Sequence, residues 1–188
     1  MVETGAVRPG ERVAIFGVGG LGIHAVQIAR LCGAGLIVAV DPRAGARERA
    51  LKVGADVAVS PDDAKAALRA ATGGEGVDVA FDFVGVNAVV KASVASLAPR
   101  GRCVLVGVGG ERLELGPSVN FALRQTRLLG SYGYRAADLR ALATLVERGR
   151  LDLSASISSR LPLEQAAEGV EALATKRGDP VRLVLAIR

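Results

Sequence analysis

The stretch IFGVGGLGIHAVQIAR, at residues 15–30, constrains the fold of this chain more than any other segment. An apolar run typical of a buried strand ends in the pattern Gly-x-Gly-x-x-Gly, formed by Gly17, Gly19 and Gly22. The pattern leads directly into helix-forming residues, so the segment predicts a strand, a tight turn and a helix. The glycines alone are weak evidence, because glycines also cluster at 107–110.

Short β-branched runs alternate with Ala-, Leu- and Arg-rich stretches along most of the chain. The runs predict strands over 12–18, 35–40, 56–60, 76–85, 101–108 and 127–132, and the stretches between them predict helices over 21–32, 43–54, 61–72, 88–97 and 136–149. Strands this apolar are covered on both faces, which indicates a parallel sheet between two layers of helices. We therefore predict an α/β fold, a doubly wound parallel six-stranded Rossmann sheet in strand order 3-2-1-4-5-6 with helices on both faces.

The last part of the chain departs from this alternation. Residues 151–188 predict a short extended piece, a helix over 163–175 and a final strand over 181–187. The six-stranded sheet is complete before this strand, and an apolar strand with unpaired edges is a liability. We expect the strand to pair within this chain or with something outside it. The predicted organisation is a Rossmann domain over 7–150 followed by a C-terminal helix-strand segment over 151–188.

The glycine pattern fits a phosphate cradle as well as a packing turn. In the cradle, Gly17 makes the tight turn, Gly19 lets the backbone approach a pyrophosphate and Gly22 lets helix and strand pack closely. Gly20 and Leu21 lie in the same loop, where the helix N-terminus offers free N–H donors and a positive dipole end. The position between a predicted strand and a predicted helix favours the cradle, and hence a dinucleotide cofactor.

Asp41 closes the second predicted strand about 20 residues beyond the last glycine, where an acid meets the ribose 2′-OH of a dinucleotide. A carboxylate there repels a 2′-phosphate, so NAD is favoured over NADP. Arg43 and Arg47 lie close enough in sequence to keep NADP open. Taken alone, Asp41 could equally be the N-cap of the helix that follows.

Candidate catalytic and metal-binding groups are scarce. His24 is the only histidine, has no partner at ligand spacing and is interpreted as a helix surface or packing residue. Cys32 and Cys103 likewise have no second Cys or His at metal-ligand spacing. Asp78 and Asp82 share one face of the fourth strand, where a ribose contact or a structural hydrogen bond is favoured over a catalytic pair. We assign no catalytic residue and no metal ligand.

Composition excludes several other classes of function. The net charge is +5, but the basic residues are dispersed among acids without stacking aromatics, so we expect a solvated surface and no nucleic-acid partner. No apolar run approaches the roughly 18 residues of a membrane span, and the segment MVETGAVRPGER is not a signal peptide. Two isolated cysteines favour buried thiols in a reducing cytoplasm.

An ordered set of motifs carries a family resemblance. RPGERVAIFGVGGLGIHAVQIAR, VDP, VGAD, FDFVG and GRCVLVGV resemble the cofactor half of the zinc-dependent medium-chain alcohol dehydrogenases, from about Val7 to the C-terminus. Those enzymes pair a Rossmann domain with a GroES-like catalytic domain, which is formed by a long N-terminal segment and the last stretch of the chain. The resemblance implies that residues from about 152 onward return to the catalytic domain. It also implies that zinc is held only by the N-terminal segment, which these residues do not include.

The resemblance implies further cofactor contacts. Residues that line the ribose and nicotinamide would be Phe83, Val84, Val106, Gly107 and Val108. Tyr132 would approach the nicotinamide side, and Arg182 would reach the pyrophosphate. Ala46 stands where the family often has Lys or Arg, which removes one ribose or phosphate contact and leaves open whether Arg47 replaces it.

Three functions remain open at this point. The first is the NAD-binding domain of a zinc-type alcohol dehydrogenase, which moves a hydride between a small alcohol or carbonyl substrate and nicotinamide and is inactive as this chain alone. The second is the cofactor domain of a zinc-free NADPH quinone or enoyl reductase. The third is a non-catalytic nucleotide-binding module whose last strand docks on a partner or a second copy. Members of the resembling family commonly associate through this domain, so a homo-oligomer is also expected.

Overall fold

The computed structural model describes residues 1–187, and Arg188, the last residue of the predicted C-terminal segment, lies outside them. The strands and helices in chain order are β1 (Arg12–Phe16), α1 (Gly22–Leu31), β2 (Leu36–Val40), α2 (Ala44–Lys52), β3 (Val57–Val59), α3 (Pro61–Ala71), β4 (Val77–Asp82), α4 (Asn87–Ala95), β5 (Leu97–Leu105), α5 (Ser118–Arg124), β6 (Arg127–Gly130), α6 (Ala136–Glu147), β7 (Ile157–Pro162), α7 (Ala166–Thr175) and β8 (Arg182–Ala186). Single 3₁₀ turns precede β7 and α7.

The first six strands form one parallel sheet in the order β3-β2-β1-β4-β5-β6. This order confirms the predicted Rossmann sheet. The chain reverses direction across the sheet between β1 and β4, and open α/β sheets bind ligands at such a switch point, beyond the carboxyl ends of the strands. None of the helices within residues 1–187 is long and apolar enough to cross a membrane.

Two hydrophobic cores lie on opposite faces of the sheet, and β1 contributes to both. Ile15 packs with Val26 of α1 in the first core, and Phe16 packs with Leu68 of α3 in the second. Successive side chains of a strand point to opposite faces, so burial on both faces requires apolar residues throughout. This explains why the central strands show continuous apolar runs rather than alternation.

The structure moves the predicted boundary between the fourth helix and the fifth strand and adds one helix. The sequence predicts a helix to residue 97, but α4 ends at Ala95 because Leu97 already pairs with Val77 of β4. Gly76 allows this close approach. Its φ is +90°, and a Cβ there would lie only 2.7 Å from the backbone nitrogen of Ala98. The sequence does not predict α5, which has only seven residues and buries no side chain.

The last predicted strand pairs within the chain. β8 forms a two-stranded parallel sheet with β7, and the predicted helix over 163–175 is present as α7 after a short 3₁₀ turn. Two polar contacts tie this segment to α1 before β7 begins. Gln27 donates from Nε2 to the carbonyl of Asp152 at 2.8 Å and accepts from its N–H at 2.9 Å.

Candidate functional site

The glycine loop lies between β1 and α1 at the carboxyl edge of the sheet. Gly17 has φ of +86°, a conformation that favours glycine, and its N–H donates to the carbonyl of Val40 at 2.8 Å. Gly22 is the first residue of α1. A Cβ on Gly22 would lie 2.9 Å from the carbonyl carbon of Gly17 and would overlap the oxygen bonded to it. The first and third glycines therefore have the predicted structural roles.

The middle of the loop is open toward solvent and is flanked by arginines. Arg182 of β8 donates from Nη2 to the carbonyl oxygen of Gly20 at 2.9 Å. A Cβ on Gly19 would lie 3.7 Å from Nη2 of Arg43, and Leu21, just before α1, is exposed. The first N–H groups of a helix have no intrahelical acceptor and favour anions. Two guanidinium groups and a helix N-terminus thus converge on Gly19 and Gly20, which carry no side chain.

Asp41 follows β2 directly and is almost fully buried, with 3% of its surface exposed. Its carboxylate accepts a hydrogen bond from the N–H of Val18 in the glycine loop at 3.0 Å. It also accepts from the backbone N–H of Arg43 at 3.0 Å and from its Nε at 3.2 Å. The N-cap of α2 is Arg43, so Asp41 is not a helix cap. These contacts place the predicted ribose-binding carboxylate beside the loop that would hold the pyrophosphate.

Arg47 turns toward the same corner of the sheet. Its Nη1 donates to the carbonyl oxygens of Asp41 at 2.9 Å and Pro42 at 2.8 Å. Ala46 is fully buried in the core between α2 and the sheet. Arg47 therefore supports the backbone under Asp41, and no longer side chain could occupy position 46 without displacing the core.

The ends of β4 and β5 bring the other predicted cofactor residues together. Phe83 donates from its N–H to the carbonyl of Phe16 at 2.9 Å, next to the glycine loop. Val84 packs against Gly17, where a Cβ would lie 2.7 Å from its Cγ2. Val106 and Gly107 come alongside from β5, since both donate backbone N–H groups to the carbonyl of residue 82, at 2.8 and 2.9 Å. Phe83, Val84, Val106 and Gly107 therefore share the carboxyl edge with the loop.

Asp82 holds this edge in shape. Its carboxylate is fully buried and accepts from the N–H groups of Val84 at 2.8 Å and Gly85 at 3.1 Å. Burial raises the pKa of Asp82, and the two N–H donors oppose that shift. Asp78 lies at the opposite end of β4 in an ion pair with Arg12 at 3.1 Å. The two carboxylates do not form a pair, and that of Asp82 makes the structural hydrogen bonds expected at a strand end.

Val108 and Tyr132 are the most exposed of the residues predicted at the ribose and nicotinamide. Val108 is 76% exposed and Tyr132 is 91% exposed. Ser131 donates from its N–H to the carbonyl of Leu105 at 2.9 Å, which places Tyr132 near the end of β5. Their cofactor contacts remain predictions.

His24 lies on α1 and contacts the C-terminal segment. Its Nε2 is 2.9 Å from Oγ of Ser156, and its Nδ1 is buried without a hydrogen-bond partner among the described residues. Burial and the positive charge of Arg182 lower the pKa of His24, against the raising effect of Asp152. This environment fits the predicted packing role. Across residues 1–187, no three His, Cys, Asp or Glu side chains are grouped so that they could hold a metal ion.

Asp179 also lies at this corner, and the sequence alone does not indicate it. It lies in the turn before β8 and forms an ion pair with Arg43 at 2.9 Å, although 136 residues separate the two along the chain. The local sequence, Gly-Asp-Pro at residues 178–180, indicates only a turn. No pattern within that segment signals a partner in α2.

Comparison with known proteins identifies close similarity to one family. A family model described as zinc-binding dehydrogenase matches residues 20–148. Sorbitol dehydrogenase of Gallus gallus is 31% identical over 188 residues, which cover 97% of this chain and 52% of that protein. The chain spans about half the length of the curated relatives that it matches.

Solved structures show the same relation. An alcohol dehydrogenase from Thermus sp. ATN1 superposes with a TM-score of 0.92 at 27% identity, over all of this chain and 54% of that one. A protein from Sinorhizobium meliloti 1021, solved bound to NADP, gives a TM-score of 0.88 at 30% identity over 99% of this chain and 55% of that one.

Proposed function

Because the chain belongs to the zinc-binding dehydrogenase family, we propose that it is the NAD-binding domain of an alcohol dehydrogenase. The observation that carries the proposal is the pairing of the glycine loop at the start of α1 with the buried carboxylate of Asp41. Both lie at the switch point of the sheet, where α/β folds bind nucleotides. When bound, the nicotinamide ring supplies the hydride chemistry.

The residues of this corner fit a dinucleotide. The pyrophosphate would lie over Gly19, Gly20 and Leu21, at the N-terminus of α1, with Arg182 as its counter-charge. The adenosine ribose would lie beside Asp41. The nicotinamide ribose and ring would then extend along the ends of β4 and β5, past the set predicted from the sequence: Phe83, Val84, Val106, Gly107, Val108 and Tyr132.

Asp41 supports NAD over NADP. Its carboxylate is fixed by the N–H of Val18 and by Arg43, so it cannot turn away from an approaching 2′-phosphate without breaking those hydrogen bonds. A ribose 2′-OH can donate to the carboxylate, whereas a 2′-phosphate of charge −1.5 to about −2 would be repelled.

The remaining parts of the reaction are proposed to come from outside this chain. Zinc ligands and the groups that bind a small alcohol or carbonyl substrate would belong to the part of the longer relatives that this chain does not span. The chain alone is then expected to bind the cofactor without oxidising alcohol. The two free cysteines, Cys32 and Cys103, support a reducing, cytoplasmic setting, and a homo-oligomer is part of the proposal.

Isothermal titration calorimetry of the chain with NAD⁺ and with NADP⁺ tests this function. We expect tighter binding of NAD⁺, and we expect Asp41→Ser to shift the NADP⁺-to-NAD⁺ affinity ratio by about tenfold or more, equivalent to about 1.4 kcal/mol. Asp62→Ser, which removes an exposed carboxylate in the first turn of α3, is the matched control and should leave the ratio unchanged.

Two results would redirect the assignment. Stronger binding of NADP⁺ by the unmodified chain would favour the cofactor domain of an NADPH-dependent quinone or enoyl reductase. The NADP-bound relative and the arginines around Asp41 are the observations that keep this second candidate. Alcohol-dependent reduction of NAD⁺ by the chain alone would contradict the placement of the catalytic groups elsewhere.

A further inference from the structure

The turn between α7 and β8 places a carboxylate against the start of α2. Asp179 accepts a hydrogen bond from Nη1 of Arg43 at 2.9 Å through one oxygen and from Nη2 of Arg49 at 2.8 Å through the other. Arg43 is in turn bonded to Asp41. Asp41, Arg43, Asp179 and Arg49 thus form a continuous chain of alternating charges, which we call the ribose-corner network.

The backbone is adapted to this contact on both sides. Asp179 has φ of +52°, a left-handed conformation that is unfavourable for most residues other than glycine. On α2, Gly45 lies directly beneath the carboxylate, and a Cβ there would be 2.7 Å from Oδ2 of Asp179. Gly45 lies in the first turn of α2, where an alanine would otherwise favour the helix. A left-handed turn residue, in a conformation that aspartate adopts more readily than most residues, and a missing side chain on α2 therefore both fit the approach of Asp179.

The ribose-corner network keeps the arginines near the proposed ribose site in ion pairs. Arg43 lies within reach of the glycine loop, since a Cβ on Gly19 would be 3.7 Å from its Nη2. An arginine at this corner is the group that typically accommodates a 2′-phosphate. Here, however, the guanidinium is shared between two carboxylates, and Arg49 is paired with the same Asp179. The four side chains together carry no net charge, so they offer little attraction to a dianionic phosphate.

We propose that Asp179 is a specificity-determining positioning residue, which keeps Arg43 and Arg49 paired and so lowers the affinity of the site for a 2′-phosphate. The inference rests on the proposed function, because it requires a dinucleotide in the site. Asp41 repels the phosphate directly, whereas Asp179 acts through the arginines. Removing the charge of Asp179 would leave the corner with one net positive charge and the guanidinium of Arg43 able to turn toward the ligand.

The test compares NAD⁺ and NADP⁺ binding to the 188-residue chain by titration calorimetry, before and after Asp179→Asn. We expect the Kd of NADP⁺ to fall about tenfold and that of NAD⁺ to change less than about twofold. Glu168→Gln, an equal loss of charge at an exposed position of α7, should change neither value. Adding Arg43→Leu to Asp179→Asn should abolish the gain, because the arginine is the group that binds the phosphate.

A second variant, Gly45→Ala, displaces the carboxylate of Asp179 without a substitution in the turn. Gly45→Ala places a methyl group 2.7 Å from the carboxylate and should displace it while favouring α2, so a fall in the Kd of NADP⁺ cannot be ascribed to unfolding. Asp179→Asn in the Asp41→Ser background should give a larger gain than in the unmodified chain, since the direct repulsion is then absent.

The failure of the inference and the failure of the function give different results. If the unmodified chain binds NAD⁺ but Asp179→Asn and Gly45→Ala leave the NADP⁺-to-NAD⁺ ratio unchanged, the role of Asp179 is refuted and the function stands. Equal weakening of both cofactors would also refute it, because a purely structural turn would act in that way. If the unmodified chain binds neither cofactor, the proposed function itself fails.

Discussion

Replacing Gly22 by alanine tests whether the glycine loop is built for close contact between β1 and α1. The new Cβ would lie 2.9 Å from the carbonyl carbon of Gly17, at least about 0.6 Å inside the ordinary carbon–carbon contact distance, and would overlap the attached oxygen. Both contact atoms are backbone, so no side chain can turn aside to make room. The helix or the turn must therefore move.

The change in stability caused by Gly22→Ala is the difference between two opposing effects. Forcing an extra methyl group into a packed site costs about 1–3 kcal/mol or more. Alanine favours a helix over glycine by about 1 kcal/mol, which offsets part of the loss. Because both contact atoms are backbone, we expect a cost in the upper part of that range, hence a net destabilisation of about 1–2 kcal/mol, which for a domain of this size lowers Tm by roughly 2–8 °C. Displacement of the Gly17 turn should also weaken NAD⁺ binding by about tenfold or more.

Thermal unfolding followed by circular dichroism, together with calorimetric titration of NAD⁺, measures both effects. Gly20→Ala is the control for stability, because its Cβ would lie 3.5 Å from Nε of Arg182, an ordinary contact with a flexible side chain. It should change Tm by no more than about 2 °C. A Gly22→Ala chain that unfolds at the same temperature as the unmodified chain and binds NAD⁺ equally well would refute the contact described here.

Three further predictions concern buried polar groups. Asp82→Ala leaves two backbone N–H donors without their acceptor, so it should lower the free energy of unfolding, measured by urea titration, by about 2–4 kcal/mol. Asp82→Asn should lower it less. Equal urea midpoints for Asp82→Ala and the unmodified chain would contradict this prediction. His24 has a lowered pKa in the folded chain, so the unfolded chain takes up its proton first and stability should fall as the pH drops from about 7 to 5. His24→Gln should flatten that part of the urea midpoint profile, and an unchanged slope would exclude His24 as its source. Gln27→Leu removes both hydrogen bonds to the backbone of Asp152 and should speed tryptic cleavage near residue 150, while an unchanged cleavage rate would show that the C-terminal segment is held by other contacts.

The sequence predicts the part of the fold that depends on local pattern. The alternation of apolar runs and helical stretches predicts the strand order. Ser60 is the N-cap of α3 and Pro61 its first residue, which are the positions that serine and proline prefer at the start of a helix. The glycine spacing predicts the turn at Gly17 and the close packing at Gly22. The cap, the turn and the close packing are predictable because each is set by residues within about one helix length of each other, whereas the strand order follows from the alternation along the whole domain.

Contacts between distant segments were not predictable in the same way. The sequence predicts a short extended piece before α7, but the residues ISSRLP have no apolar alternation, so nothing in them indicates that β7 pairs with β8. The ion pair of Asp179 with Arg43 joins positions 136 residues apart, and neither neighbouring sequence contains a sign of the other. The sequence therefore reveals the proposed cofactor site as far as the glycine loop and Asp41, whereas the ribose-corner network appears only in the folded chain.

The position of the cofactor can be seen in a crystal structure of the chain with NAD⁺. We predict that the pyrophosphate lies over Gly19 and Gly20 at the N-terminus of α1, within hydrogen-bond distance of Arg182, and that the adenosine 2′-OH contacts the carboxylate of Asp41. A dinucleotide bound elsewhere on the chain, or one whose adenosine ribose makes no contact with Asp41, would contradict this prediction.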